Sequence, residues 1–241
     1  MKAWKGKKLS ILEKIKALDE GAIHQVNELL TRLVASRVIK SGDVVFDCGA
    51  NHGYHTADFS ERVGPNGLVH AFEPNPDLFP GLVGPANVRV WPFAVGDRLS
   101  VETFILPVGR DQVGSLVDPQ DWIGETEVRK LTVVQVPIDA LPEAVERRVS
   151  FIKIDVERHE AAALTGLQET IKKYSPVIVY ENNSLEIEAI LAKLDYKVVH
   201  MLTLVGPIGM PNVIAAPISR EDEIGKILPT AEDLEEIISQ I

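Results

Sequence analysis

Val44-Val45-Phe46-Asp47-Cys48-Gly49-Ala50-Asn51-His52-Gly53 is an apolar run that ends in an acid, turns through glycine and leads into a helix start. That is the build of a nucleotide-cofactor pocket at the carboxyl end of a parallel strand. A second apolar run, Leu68-Val69-His70-Ala71-Phe72, also ends in an acid, Glu73. An acid at the end of the next strand is placed to accept hydrogen bonds from ribose hydroxyls. Together the two runs point to an adenosine-containing cofactor and leave its identity open.

Upstream, Leu9 to Leu18 and Ile23 to Ile39 carry apolar residues at three- and four-residue spacing, which predicts two amphipathic helices over residues 1–40. Downstream the alternation is regular. A helix is predicted from Tyr54 to Val63, and a third strand from Val88 to Ala94. The region near 100–137 departs from this rhythm. Val101 to Leu106 and Leu131 to Val136 are strand-like, and the polar stretch Gly109 to Gly124 between them suits a substrate loop. Asp139 is expected to cap a short helix. Phe151 to Asp155 reads as a strand, Glu157 to Tyr174 as one helix, and Pro176 to Tyr180 as a further strand. Ser184 is placed to cap the helix that runs to Leu194. Lys197 to Val205 and Asn212 to Ala216 flank Gly206-Pro207-Ile208-Gly209-Met210-Pro211, a linker short enough for an antiparallel hairpin. Thr230 with Asp233 forms a capping box for an acidic helix over residues 219–241.

The predicted fold is α/β, a doubly wound and mostly parallel seven-stranded sheet over residues 41–218. Parallel crossovers that close in an antiparallel hairpin argue for the S-adenosylmethionine methyltransferase architecture rather than the dinucleotide fold. A nicotinamide-dependent oxidoreductase would also want Gly-x-Gly-x-x-Gly, whereas Gly49 and Gly53 bracket three residues.

Composition narrows the partners. The chain has 241 residues, 45% of them apolar, and 35 acids against 25 Lys and Arg, for a net charge of -10. Such a field repels phosphate backbones, so nucleic acid is not the expected substrate. The single cysteine, Cys48, excludes an intramolecular disulfide and reads as a buried strand residue. No long apolar run follows Lys2, Lys5, Lys7 and Lys8, so neither a signal peptide nor a membrane span is expected, and the cytoplasm is the default location. The terminal helices suit a homodimer; the acidic one and the N-terminal pair would serve as docking surfaces if the chain were a non-catalytic module.

Four segments taken in order are more specific than any single loop. They are Asp47 to Gly53, Phe72-Glu73-Pro74-Asn75, Ala94-Val95-Gly96-Asp97 and Ile152-Lys153-Ile154-Asp155-Val156-Glu157. Over Gly42 to Glu181 the chain resembles the FkbM family of S-adenosylmethionine-dependent methyltransferases. The resemblance implies O-methylation of a hydroxyl on a small polar or glycosylated metabolite. One departure stands out: where the family usually has glycine after the last motif, this chain has Arg158.

The expected roles can be argued residue by residue. Gly49 and Gly53 allow close backbone approach to the cofactor, with Ala50 between them. Asp47 and Asn51 are placed to meet its amino-acid end, and Glu73, followed by Pro74, to clamp the ribose. Ala94 and Val95 would flank the adenine, with Asp97 near its amino group. An alcohol acceptor needs a proton sink, and Asp155, Glu157, His159 and Glu181 are the candidates; Glu160 reads as a solvated helix residue. Asp155 with Glu181 and Asn182 offers oxygen ligands for Mg²⁺, yet clusters of this kind are common at strand ends, so no metal is assigned. His52, His55 and Asp58 are spaced for zinc but lack a fourth ligand nearby. Arg110, Asp111, Gln112 and Ser115 are candidates for recognising a polar substrate.

Overall fold

The computed structural model describes residues 11, 13–15, 17–181, 184–200 and 212–241. Seven strands form the main sheet: β1 (Val44–Cys48), β2 (Leu68–Phe72), β3 (Val88–Trp91), β7 (Val149–Ile154), β8 (Val177–Tyr180), β9 (Tyr196–His200) and β10 (Val213–Pro217). Their spatial order is β3-β2-β1-β7-β8-β10-β9. β10 alone runs antiparallel to its neighbours, β8 and β9. The seven-stranded, mostly parallel sheet with a reversed end is therefore as the sequence predicts. The linker Gly206 to Pro211 and Asn182 lie outside the described residues.

Every residue of β1, β7 and β8 is buried, which is why these strands read as near-continuous apolar runs. Side chains alternate between the two faces. Val45, Phe151 and Val179 join one core with α1 (Glu20–Val38), α2 (Tyr54–Val63) and the C-terminal helix Ala231–Ser239. Val44, Phe46, Cys48, Ile152, Ile154 and Ile178 join the other core, which includes Ala163 and Leu164. Asp47 lies between Phe46 and Cys48, and Lys153 between Ile152 and Ile154, so both share the face of α1 and α2. The two are also register partners across β1 and β7.

The expected third strand, Val88 to Ala94, is divided. β3 stops at Trp91, and Ala94–Val95 forms β4 of a separate three-stranded sheet with β5 (Ser100–Pro107) and β6 (Val128–Val136). Pro92 has no N–H to continue the ladder, and Ala94 and Val95 pair instead with Gln135 and Val136. The single helix expected from Glu157 to Tyr174 is also divided, into α6 (Glu160–Thr165) and α7 (Gln168–Tyr174), when the short helices Phe79–Leu82, Gln120–Ile123 and Pro142–Val145 are counted as α3, α4 and α5. Glu157 and Arg158 have φ of 52° and 69°, which delays the helix start, and Gly166 closes α6. Asp139 caps α7 rather than a helix of its own, accepting from the N–H groups of Glu169 and Thr170 at 2.8 and 2.9 Å. Two expected caps are present: Ser184 on α8 (Leu185–Lys193), and the Thr230–Asp233 box on α10 (Ala231–Ser239), which follows α9 (Glu221–Ile227).

Gly166 is what lets the small sheet approach the large one. A Cβ there would lie 1.9 Å from the Gly96 carbonyl oxygen, just beyond β4. Backbone cannot yield as a flexible side chain does. Gly166→Ala is therefore expected to cost about 3 kcal/mol, seen as a fall of roughly 6–12 °C in calorimetric melting temperature; an unchanged melting temperature would refute this packing.

Candidate active site

The carboxyl ends of β1, β2, β7 and β8 converge on two adjoining clefts. The first, of about 580 Å³, is lined by Gly49, Asn51, Glu73 and Pro74 on one side and by Phe93, Ala94, Val95 and Phe104 on the other. The second, of about 1560 Å³, includes Glu28, Ala50, Tyr54, His55, Trp122, Lys153 and Glu181. Gly49, Asn51, Gln112, Asp155 and Glu157 line both and form the shared wall.

The loop after β1 is held by its own backbone. Gly49 and Ala50 N–H both donate to the Phe72 carbonyl at 3.0 Å, which ties the loop to the end of β2. Gly49 has φ of 76°, and a Cβ on it would sit 1.7 Å from the Asp155 carbonyl oxygen. The space that glycine opens is thus filled by the protein itself. Gly53 lines neither cleft; it abuts the Gly81 carbonyl, 2.9 Å from where its Cβ would be. Asn51 adopts φ of 50°, a conformation that asparagine tolerates better than most residues.

Glu73 organises this corner. One carboxylate oxygen accepts from Asn51 N–H at 2.9 Å and the other from Asn75 N–H at 2.8 Å. Each oxygen keeps a second lone pair for a further donor. Burial pushes its pKa up to about 7, against the pull of those two N–H groups. Asp97 lies outside both clefts, paired with Arg98 at 3.1 Å.

The other side of the shared wall is a group of acids. Carboxylate oxygens of Asp155, Glu157 and Glu181 all lie within 4.8 Å of one another. Burial, together with the charge of Asp155, drives Glu157 and Glu181 well above the ordinary carboxylate range. Burial acts the same way on Asp155, but the Lys153 ammonium, 3.1 Å from its Oδ2, outweighs it and holds Asp155 low. The three acids share proton and charge and titrate as a unit. Glu160, expected to be solvated, is buried instead. It accepts from the N–H groups of Val156 and Arg158 at 3.3 and 3.2 Å and so braces the positive-φ turn.

His159 faces only the first cleft, with Nε2 2.8 Å from Gln135 Oε1, and burial lowers its pKa. It stands apart from the acids of the second cleft. His55 and Asp58 make no shared site: His55 Nε2 lies 2.8 Å from Glu28 Oε2, and Asp58 pairs with Arg32 and Arg62. Of the loop candidates, Gln112 lines both clefts, whereas the Ser115 hydroxyl donates to the Glu157 carbonyl at 2.5 Å as a structural tie. Arg110 is exposed. Arg158 stacks its guanidinium over Trp122, 4.7 Å from the ring centroid, fastening the long loop across the second cleft.

Several lining residues were not anticipated. Lys153 is the clearest: a lone charge in the middle of the apolar run Phe151 to Ile154 signals a buried partner. His24 and Glu28, four apart on α1, share a helix face and could have been read together. Trp122, Phe93 and Phe104 carried no local signal.

The strand order with its reversed final strand, and the acid-ended β1 and β2 facing a cleft, define the class I S-adenosylmethionine-dependent methyltransferase architecture. Residues 47–198, more than half of the chain, match the model of the methyltransferase FkbM domain. The chain belongs to this family. Among solved structures it is similar to the methyltransferase FkbM from Methylobacillus flagellatus, at 15% identity and a TM-score of 0.48 over 88% of this chain and 58% of that one. It is also similar to an S-adenosylmethionine-dependent methyltransferase from Aquifex aeolicus, at 15% identity and a TM-score of 0.44, covering 85% and 97% of the two chains. A third is the fibrillarin of Aeropyrum pernix with bound S-adenosylmethionine, at 14% identity and a TM-score of 0.42, covering 73% and 66%. No curated protein matches the chain in sequence. No described helix is long and apolar enough to cross a membrane.

The raised acids have a measurable consequence. A carboxyl whose folded pKa exceeds its ordinary 4.5 contributes its full stability below that value and loses it as pH rises through the folded pKa. Replacing Glu181 with glutamine removes that loss. The melting temperature of Glu181→Gln should therefore gain on the parent's steadily as pH is raised from 4.5 into the alkaline range. A gap independent of pH would mean that Glu181 titrates as an ordinary surface acid.

Proposed function

We propose that this protein transfers the methyl group of S-adenosylmethionine to a hydroxyl oxygen of a small polar or glycosylated metabolite. The observation that carries this reading is the pair of clefts meeting at Gly49, Asn51, Asp155 and Glu157. The first sets the apolar Phe93, Ala94, Val95 and Phe104 beside the buried acid Glu73; the second is wider and adds Glu28 and Glu181 to the shared Asp155 and Glu157.

The residues of the first cleft fit the cofactor. Glu73 retains acceptor capacity for two ribose hydroxyls, beside Pro74. Ala94 and Val95, with Phe93 and Phe104, make a flat apolar slot suited to adenine. The Gly49 to Asn51 loop reaches toward the second cleft and suits the amino-acid end. When bound there, S-adenosylmethionine supplies an electrophilic methyl group. Asp47 and Gly53 line neither cleft; Asp47 accepts from the Thr56 hydroxyl, and Gly53 abuts the Gly81 carbonyl.

The residues of the second cleft hold the acceptor and take its proton. Glu157 and Glu181 hold protons more tightly than ordinary acids, so the one of them that is ionised when the acceptor is bound is a strong base for its hydroxyl proton. Asp155, kept ionised by Lys153, stays as a fixed negative charge beside them. The same ammonium offsets part of the group's negative charge. A net charge of -10 favours small acceptors over nucleic acid.

Calorimetry should show binding of both S-adenosylmethionine and S-adenosylhomocysteine, and the absence of both would sink the proposal. Glu73→Ala removes two charged contacts of about 1.5 kcal/mol each and should weaken binding roughly 100-fold. A library of hydroxylated metabolites, screened for release of S-adenosylhomocysteine, identifies the acceptor. Transfer to that acceptor is expected to survive exhaustive EDTA treatment; loss of activity restored by Mg²⁺ would assign the acids to a metal instead.

A further inference from the structure

We propose that Lys153 is a positioning residue for methyl transfer, holding the cofactor-side loop and the acceptor-side acid in one fixed relation. This rests on the reading that the first cleft takes S-adenosylmethionine and the second its acceptor.

Lys153 is the charged residue of a strand whose every position is buried. Its Nζ lies 3.1 Å from Asp155 Oδ2, 3.2 Å from the Gly49 carbonyl oxygen and 3.6 Å from Asp47 Oδ1. An ammonium has three donors and no acceptor, and here it faces three acceptors from two segments, the ends of β1 and of β7. Its side chain is 5% exposed. Asp155 and the Gly49 carbonyl lie at hydrogen-bond distance and Asp47 at ion-pair distance, so the ammonium is held by the protein on all three.

What it joins is what the reaction must keep aligned. Gly49 and Asp155 both line the wall between the clefts. The third partner, Asp47, is itself anchored, accepting from the Thr56 hydroxyl of α2 at 2.6 Å. A chain of contacts thus runs from α2 through Asp47 and Lys153 to both sides of the wall. Burying an ion-paired group is costly, and apolar residues in place of the whole group often serve a core as well or better. The lysine is explained by the two groups it aligns, because in-line transfer loses on the order of 100-fold in rate for a misplacement of about 1 Å.

Lys153→Met keeps the length and removes the charge. Affinity for S-adenosylhomocysteine, which requires no acceptor, should fall about tenfold in calorimetry through loss of the charged contact to the loop. With an acceptor in hand, kcat should fall roughly 100-fold while the acceptor KM stays within about twofold. A folded Lys153→Met protein that binds and turns over like the parent would overturn the proposal, even if its melting temperature dropped. Should that variant not fold, ¹⁵N-lysine NMR of the parent decides. The Lys153 ammonium signal should shift when S-adenosylhomocysteine is added, whereas a lysine that only supports the core would not respond. A parent protein that binds neither S-adenosylmethionine nor its product would refute the underlying function instead.

Discussion

The buried ion pairs joining Asp47, Lys153 and Asp155 are the constraint around which the centre of this molecule is organised. They link β1 and β7 near the middle of the sheet, where Asp47 and Lys153 are buried and Asp155, one third exposed, opens onto the clefts. An ammonium in such a place would ordinarily lose its proton. The charges of Asp155, Asp47 and Glu28 outweigh burial and keep Lys153 protonated. Removing Lys153 would leave two carboxylates facing each other without a cation, so the pairs depend on it.

From that centre the surrounding geometry follows. The Lys153 ammonium holds the Gly49 carbonyl, and the Asp155 carbonyl fills the space where a Gly49 side chain would be. Loop and strand end are interlocked by backbone alone. Glu73 then fixes the far side of the loop through Asn51, and Glu160 braces the positive-φ turn at Glu157 and Arg158. Backbone strain of this kind gathers where structure serves chemistry. Here it sets three carboxylates close together, two of them unable to ionise easily.

Arg158 shows how a departure from the family pattern is absorbed. Its φ of 69° is one that glycine adopts freely, which accounts for the usual residue there. A longer side chain bears the conformational cost, and its guanidinium gains a stacked partner in Trp122. The long loop between β5 and β6 is thereby tied to the end of β7. The wide second cleft owes one of its walls to that contact.

Much of the architecture was legible in the chain. Apolar runs ending in acids, glycines at their ends and the local caps at Ser184 and Thr230 depend on neighbours in sequence, and each was read as it stands. The same is true of the family, because its motifs are contiguous. What escaped were features decided by contacts between distant segments. Pro92 diverts β4 to a partner more than forty positions away; Asp139 caps a helix thirty residues downstream. Gly49 and Gly166 are closely approached by the backbone carbonyls of Asp155 and Gly96, which leave no room for a side chain. The sequence by itself determined the sheet, its reversed end and the acids at its rim, since alternation and strand-end chemistry are local. Only the tertiary structure decided which acid stays ionised, which is raised, and that Lys153 links the two clefts, because electrostatics in a buried site depends on what the fold brings within a few ångströms.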